Sequence, residues 1–478
     1  MSLIELPKPD QSVLARRDEI VKDLRKLVPE ALLISDAQGR RTYESDALTA
    51  YRGVPLAVLL PSTTEEVSKI LRYCHQHRIK IVPRGAGTSL CGGALPLQDS
   101  IVLGISRINR VLEVDPINRV ARVETGITNI GISQAVAAQG FFYAPDPSSQ
   151  LACTLAGNIG TNAGGAHCLK YGVTVNNLQG LRIVLMDGEI LDIGGDYLDA
   201  QGYDFLSLIT GSEGQFGIVT EATVKLIKQP EGARPMLLGF GSAEAAGACV
   251  AGIIAAGIIP VAIEFMDRPA IHVCENFAHA GYPLDVEALL IVEVDGAEEE
   301  IDALLETIAV IAERYRPLVI KISQSEAESA AIWKGRKAAF GAIGQISDYY
   351  CMDGVIPLSK LPKALSEISR ICTQYHFDVA NVFHAGDGNL HPLILYNAND
   401  PVELERAELC GAEILKLCVE LGGCLTGEHG VGIEKRDLMP LQFSPLDLAQ
   451  QKRVRAAFDP LSLLNPGKVF PLEEGPPQ

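Results

Sequence analysis

Pro83-Arg-Gly-Ala-Gly-Thr-Ser-Leu-Cys-Gly-Gly93 and Leu155-Ala-Gly-Asn-Ile-Gly-Thr-Asn-Ala-Gly-Gly165 are the two stretches that decide how this chain folds. The first continues a strand-like run, Lys80-Ile-Val-Pro-Arg84. Both are stripped of bulk, so that successive backbone N–H groups can approach a pyrophosphate closely. Neither is a standard nucleotide fingerprint. The third glycine of G-x-G-x-x-G belongs where Leu90 stands, and Gly87 and Gly92 have P-loop spacing but Gly93 replaces the lysine. Asn158, Thr161 and Asn162 add amide and hydroxyl donors to the second stretch. Two such loops can hold the two phosphates of one dinucleotide without cationic side chains; the plainer alternative is a pair of tight turns at domain corners.

Outward from these loops the pattern is mixed. Ala57-Val-Leu-Leu-Pro61 reads as a strand, and the next residues read as a helix capped by Ser62 or Thr63 with Glu65 and Glu66 in its first turn. Apolar runs then alternate with turn residues to about Lys228, so residues 46–228 are expected to form an α+β domain. Residues 1–45 are expected to be a helical segment, with Val13, Leu14, Ile20, Val21, Leu24, Leu27 and Val28 spaced by threes and fours. From Gln229 the order becomes strand, helix (Ser242 to Gly257), strand, strand, helix (Glu298 to Tyr315), strand, which is the ferredoxin-like pattern. Residues 229–440 are therefore expected to be a second domain. Residues 441–478 are too few to stand alone and are expected to return to the first.

The composition removes several functions. Lys and Arg number 41 against 59 Asp and Glu, a net charge of −18 with no basic run, which excludes a nucleic-acid groove or a polybasic anchor. Eleven cysteines contain no Cys-x-x-Cys pair, so an iron–sulfur cluster or zinc ribbon built by this chain alone is not expected. Their scatter suits reduced thiols in the cytoplasm. The first residues reach charge and proline before any apolar run, unlike a secretory signal. The most apolar window, Ala248 to Ile263, is interrupted by Pro260 and is too short to span a bilayer.

A second constellation is Phe383-His-Ala-Gly-Asp-Gly-Asn-Leu-His391 between apolar runs. Asp387-Gly388 is a two-residue hairpin signal that would pair Gly386 with Asn389, Ala385 with Leu390 and His384 with His391. Directly opposed side chains start about 5 Å apart, from which two imidazoles can chelate one divalent ion; otherwise they are two histidines on a solvated face. Gly427-Glu-His-Gly430 offers a third ligand. Neighbouring residues in extended backbone project to opposite sides, so Glu428 suits the metal and His429 suits a base, unless the segment is only a turn after Leu421-Gly-Gly423.

Pro83 to Leu90, Pro145-Asp-Pro-Ser-Ser149, Gly157 to Gly165 and Gly211-Ser-Glu-Gly-Gln-Phe-Gly-Ile-Val-Thr-Glu221 occur in the order seen in FAD-linked oxidases of the vanillyl-alcohol-oxidase type. The chain resembles that family over roughly residues 45 to 470. The resemblance implies a PCMH-type FAD-binding domain and a cap domain carrying the substrate and metal. It implies FAD contacts from Pro83, Arg84, Gly85, Ala86, Gly87, Thr88, Ser89, Pro145, Asp146, Ser148, Gly157, Asn158, Thr161, Asn162, Gly164, Glu213, Gly217, Ile218, Val219 and Asn465. Cys91, His167 and Cys168 are all that the loops offer for covalent attachment, so non-covalent FAD is expected.

The hairpin and the Glu428-His429 pair resemble the family's 2-hydroxy-acid branch, which acts on glycolate, D-lactate or D-2-hydroxyglutarate. Trp333 to Phe340 and Asp348 to Pro357 are similar to its glycolate-oxidizing members. In that branch His384, His391 and Glu428 would hold a divalent metal (Zn, Mn or Fe), His429 would take the hydroxyl proton and Arg336 would grip the carboxylate. Where 2-hydroxyglutarate enzymes carry threonine, lysine and asparagine, this chain has Phe340, Cys351 and Leu393, which implies a small substrate. A stand-alone D-lactate or D-2-hydroxyglutarate dehydrogenase, or a non-catalytic flavin subunit, are the alternatives. The resemblance also implies an iron–sulfur subunit and a second FAD-like subunit as electron-transfer partners, with at most peripheral membrane contact.

Overall fold

The computed structural model describes residues 4–197 and 202–472, so the first three residues of the expected N-terminal segment and the last six of the C-terminal one lie outside it. It has two compact units. The loop unit takes Ile4–Gly164, Gly172–Lys228 and the chain from Glu428 onward; the hairpin unit takes Gly165–Tyr171 and Gln229–Gly427. The first boundary, at Lys228, is where the composition shifts. The return comes at Glu428, thirteen residues before the expected 441, and the short Gly165–Tyr171 segment joins the hairpin unit.

In the loop unit, Ala57–Leu59, Ser100–Gly104 and Lys80–Arg84 run parallel, with Leu33–Ile34 antiparallel at one edge. Helix Thr64–His77 begins where Thr63 Oγ1 accepts the Glu66 N–H and the Glu66 carboxylate accepts the Ser62 N–H, satisfying two otherwise orphaned donors. It ends at Arg78, in the left-handed conformation with φ 54°. Val67, Ile70, Leu71 and Cys74 of this helix are buried against the parallel strands. Burying each of the three larger aliphatic side chains is worth about 1.5–3 kcal/mol. A second, antiparallel sheet has the order Val111–Asp115, Val120–Glu124, Ile218–Lys225, Leu178–Val184, Ile190–Gly194. The expected 155–165 loop begins as a short helix, Leu155–Thr161, capped by Thr154 and ended by Asn162 at φ 52°. The returning chain bonds to the parallel sheet, where Asn465 N–H donates to the Ile81 carbonyl and Ile81 N–H to Leu463.

In the hairpin unit the first four strands lie in the order Val319–Ile322, Gly232–Phe240, Ala288–Gly296, Ala262–Asp267, all antiparallel. Numbered along the chain this is 4-1-3-2, the ferredoxin-like order, with helix Arg268–Ala278 added between the two middle strands. Val379–His384, Asn389–Leu390 and Gly354–Val355 extend the sheet beyond Ala262–Asp267. Ala288–Gly296 is buried along nearly its whole length, as expected of a strand covered on both faces. Among the described residues no helix is long and apolar enough to cross a membrane.

Candidate functional site

The loop unit holds every residue of the expected cofactor set. Its two glycine-rich stretches meet closely: a Cβ on Gly85 would lie 2.3 Å from Thr154 Oγ1, so only glycine lets the first loop sit against the start of the second. Asn158 is 3% exposed, yet its side-chain Nδ2 has no hydrogen-bond partner. A buried donor left open costs about 1–3 kcal/mol, which fits a loop whose acceptor is a bound phosphate or ribityl oxygen. Asn162 uses Oδ1 to accept the Val175 N–H, and Thr161 Oγ1 points back to the Gly157 carbonyl at 3.5 Å. Arg84 donates to the Ser45 carbonyl and lies over the Tyr43 ring.

Other members of that set have protein partners. The Glu213 carboxylate accepts the backbone N–H groups of Val431 and Gly432 at 2.6 and 2.8 Å, fastening the chain just beyond His429. Asn465 Nδ2 donates to the carbonyls of Gly93 and Glu213, and Asn465 Oδ1 accepts from Lys468. Gly217 precedes strand Ile218–Lys225, on which the Val219 carbonyl accepts Thr125 Oγ1. Glu428 and His429 belong to this unit too. A Cβ on Gly164 would sit 3.1 Å from Glu428 Oε2, and the His429 carbonyl accepts the Cys91 thiol at 3.1 Å. Burial pushes the Cys91 thiol well above its usual pKa, which makes it a poor nucleophile toward a flavin.

The hairpin unit gathers the rest. His384 and His391 are nearly perpendicular, their ring centroids 5.3 Å apart, and both are buried. Their pairing differs from the expected one. His384 pairs with Asn389 and Asn381 with Pro392, so the turn is the four residues Ala385 to Gly388 and the register is displaced by two. Asp387 is the physical reason: its Oδ1 accepts the Asn389 N–H at 3.1 Å, building the longer turn from a side chain. Because side chains alternate with period two, a displacement of two leaves His384 and His391 on one face, whereas a displacement of one would have parted them.

Around the histidines lie two carboxylates. Glu264, 0% exposed in strand Ala262–Asp267, is the cross-strand partner of His384, whose Nδ1 lies 2.8 and 3.1 Å from its two oxygens. Arg336, 4% exposed on helix Glu326–Gly344, brings its NH2 to 2.6 Å from Glu264 Oε2, while its Nε has no hydrogen-bond partner. Burial alone would raise the Glu264 pKa, but His384 and Arg336 hold it below the ordinary value. Asp353 faces His391 Nε2 at 3.6 Å and accepts from Thr426 Oγ1 and from the Gly427 N–H, anchoring the residues just before Glu428. The Phe340 ring lies 6.2 Å from that of His391 and 6.0 Å from that of Tyr349, and buried Cys351 and Leu393 are cross-strand partners. His167 is held by Glu293, which also accepts from Trp333 Nε1.

Glu264 was not among the residues singled out in the sequence. Its signal was there: a lone carboxylate inside Val261-Ala-Ile-Glu-Phe-Met266, an otherwise apolar strand, must have a paired role. Asp353 lies within Asp348 to Pro357, a stretch that the sequence offers only as a resemblance, and its partners Thr426 and Gly427 come from far along the chain.

Comparison with known proteins gives a consistent result. Residues 229–469 match the family described as FAD linked oxidases, C-terminal domain, and residues 55–194 match FAD binding domain. The chain is 50% identical over 456 residues to the glycolate oxidase subunit GlcD of Escherichia coli K12, covering 95% of this chain and 91% of that one. It is 29% identical to D-lactate dehydrogenase of Anaerostipes hadrus, covering 94% and 97%. The crystal structure of p-cresol methylhydroxylase superposes with a TM-score of 0.82 at 16% identity, over 97% of this chain and 98% of the other, which speaks for the fold alone.

Proposed function

Because this chain belongs to the FAD-linked oxidases and is an FAD-dependent oxidoreductase, we propose that it oxidises a small 2-hydroxy acid, glycolate or D-lactate, to the 2-oxo acid. One observation carries the substrate class. Arg336 is buried, shares Glu264 with His384, and keeps an Nε–H without an acceptor. A carboxylate is the planar, anionic acceptor that a guanidinium edge fits. Phe340, Cys351 and Leu393 stand where the similar 2-hydroxyglutarate enzymes carry polar groups, which favours a substrate of two or three carbons over a dicarboxylate.

His384, His391 and Glu428 are the proposed ligands of a divalent cation, zinc, manganese or iron. Two imidazoles on one face and a glycine-flanked carboxylate are a donor set that suits any of these. Such an ion, when bound, lowers the pKa of a hydroxyl next to it. FAD, which the loops around Gly85 and Asn158 would hold without a covalent link, would supply the hydride acceptor when bound. Arg336 binds the substrate carboxylate. His429 accepts the hydroxyl proton, and Glu264 keeps His384 and Arg336 in place. The word "subunit" in the name of the 50% identical relative supports electron-transfer partners, for which we propose an iron–sulfur subunit and a second FAD-like subunit in the cytoplasm, at most peripherally attached to the membrane.

Anaerobic spectra test the reading. Metal-replete, flavin-loaded protein should bleach near 450 nm with glycolate or D-lactate, and only weakly with L-lactate or D-2-hydroxyglutarate. No bleaching with any 2-hydroxy acid would sink the catalytic reading and leave a flavin-binding subunit. Fastest bleaching with D-2-hydroxyglutarate would sink the small-substrate argument alone.

A further inference from the structure

We propose that Glu264 is the positioning residue of this site, holding His384 with its proton on Nδ1 and at the same time setting Arg336, so that the metal arm and the carboxylate arm are fixed by one side chain. The inference rests on the reading that His384 is a metal ligand and Arg336 a substrate-carboxylate ligand. Its evidence is geometric. Glu264 lies mid-strand, between Ile291 on one neighbouring strand and His384 on the other. Both its oxygens face His384 Nδ1, and one also faces Arg336 NH2 at 2.6 Å. An ionised carboxylate can only accept, so Nδ1 must donate, and the imidazole lone pair is left on Nε2. Carboxylate-to-histidine contacts of this kind fix the tautomer and ring orientation of a metal-binding imidazole, and removing them costs about 10- to 100-fold in metal affinity.

The shared carboxylate has a further consequence. Burying an unpaired charge is costly, and Glu264 is 0% exposed, so it holds both partners or neither holds its place. A role confined to stability would have been met by an apolar residue, as at the flanking Ile263 and Phe265. Instead the strand carries one acid, aimed at the two residues proposed to touch metal and substrate.

The test uses the flavin-loaded full-length protein, with Zn2+ and Mn2+ as probes in chelator competition. In Glu264→Gln the amide nitrogen faces His384 Nδ1 in either orientation, because both carboxylate positions do, so a donor is set against the Nδ1 proton. It should weaken metal binding about 10- to 100-fold and raise KM for the 2-hydroxy acid in a folded protein of near wild-type flavin content, with a lowered melting temperature because buried Arg336 loses its counter-charge; Glu264→Asp should restore part of both binding losses. Wild-type metal affinity and KM in a folded Glu264→Gln variant would overturn the proposal. If that variant does not fold, 15N NMR of histidine-labelled wild type decides: a proton on His384 Nδ1 supports the proposal and a proton on Nε2 overturns it. A wild-type protein that binds neither ion defeats the metal reading itself, and the tautomer measurement still judges the placement of Glu264.

Discussion

At the scale of single residues, the division of labour between Glu428 and His429 is the sharpest claim. They are consecutive, yet one is proposed as a ligand and the other as a base, which extended backbone permits because it sends them to opposite sides. Glu213 supports this by accepting the backbone N–H groups of Val431 and Gly432, so the segment just beyond the pair is fixed through its main chain. His429→Ala should therefore give a yellow, folded protein with turnover reduced on the order of 10²- to 10⁴-fold, the usual contribution of a general base. Stopped-flow flavin reduction measures it. A variant with near-normal reduction would remove His429 from the mechanism, and one that loses its flavin would show that the residue is structural.

At the scale of elements, the hairpin shows what could be read in advance and what could not. Period-two alternation placed both histidines on one face, and that inference survived a wrong turn type because the displacement was an even number of residues. The turn itself depends on Asp387 capping Asn389 and on Gly388, which has φ +79° and whose added Cβ would meet the Ile356 carbonyl at 2.2 Å. That close approach comes from residues far along the chain and has no local trace. The same is true of Glu264 and Asp353, whose partners lie 120 and 74 residues away. The helix start at Ser62 or Thr63, the ferredoxin-like order of elements and the two glycine-rich stretches were legible because each is written in the local pattern of the sequence. Gly388→Ala should lower stability by more than the roughly 1–3 kcal/mol of a strained backbone alone. Gly281→Ala is the control, since Gly281 has φ +77° and nothing within 4 Å of an added Cβ. Urea unfolding of the two variants compares them. Equal losses would show that backbone strain, and not contact with Ile356, is what the turn requires.

At the scale of the whole molecule, the return of the chain at Glu428 binds distant parts of the loop unit through buried charge. Lys468 is 1% exposed and donates to Asn465, whose amide bonds to the carbonyls of Gly93 and Glu213. Burial pushes the Lys468 pKa down to about 7, against the pull of Asp46 and Glu213. The sign of the linkage follows. Between pH 7 and about 10.5 the unfolded chain carries a proton on Lys468 that the folded chain lacks, so this group makes stability rise with pH by up to about 1.4 kcal/mol per unit across that window. Below pH 7 both states are protonated, the slope vanishes and the cost of the buried cation is borne in full. Lys468→Met removes the group and keeps most of its volume. Between pH 7 and 9 the wild type should therefore gain stability relative to the variant, as read from urea midpoints with flavin bound. A difference that stays flat would mean that Lys468 is charged throughout, paired with Asp46 and Glu213. The return segment would then be held by ion pairing and not by the neutral hydrogen bond to Asn465.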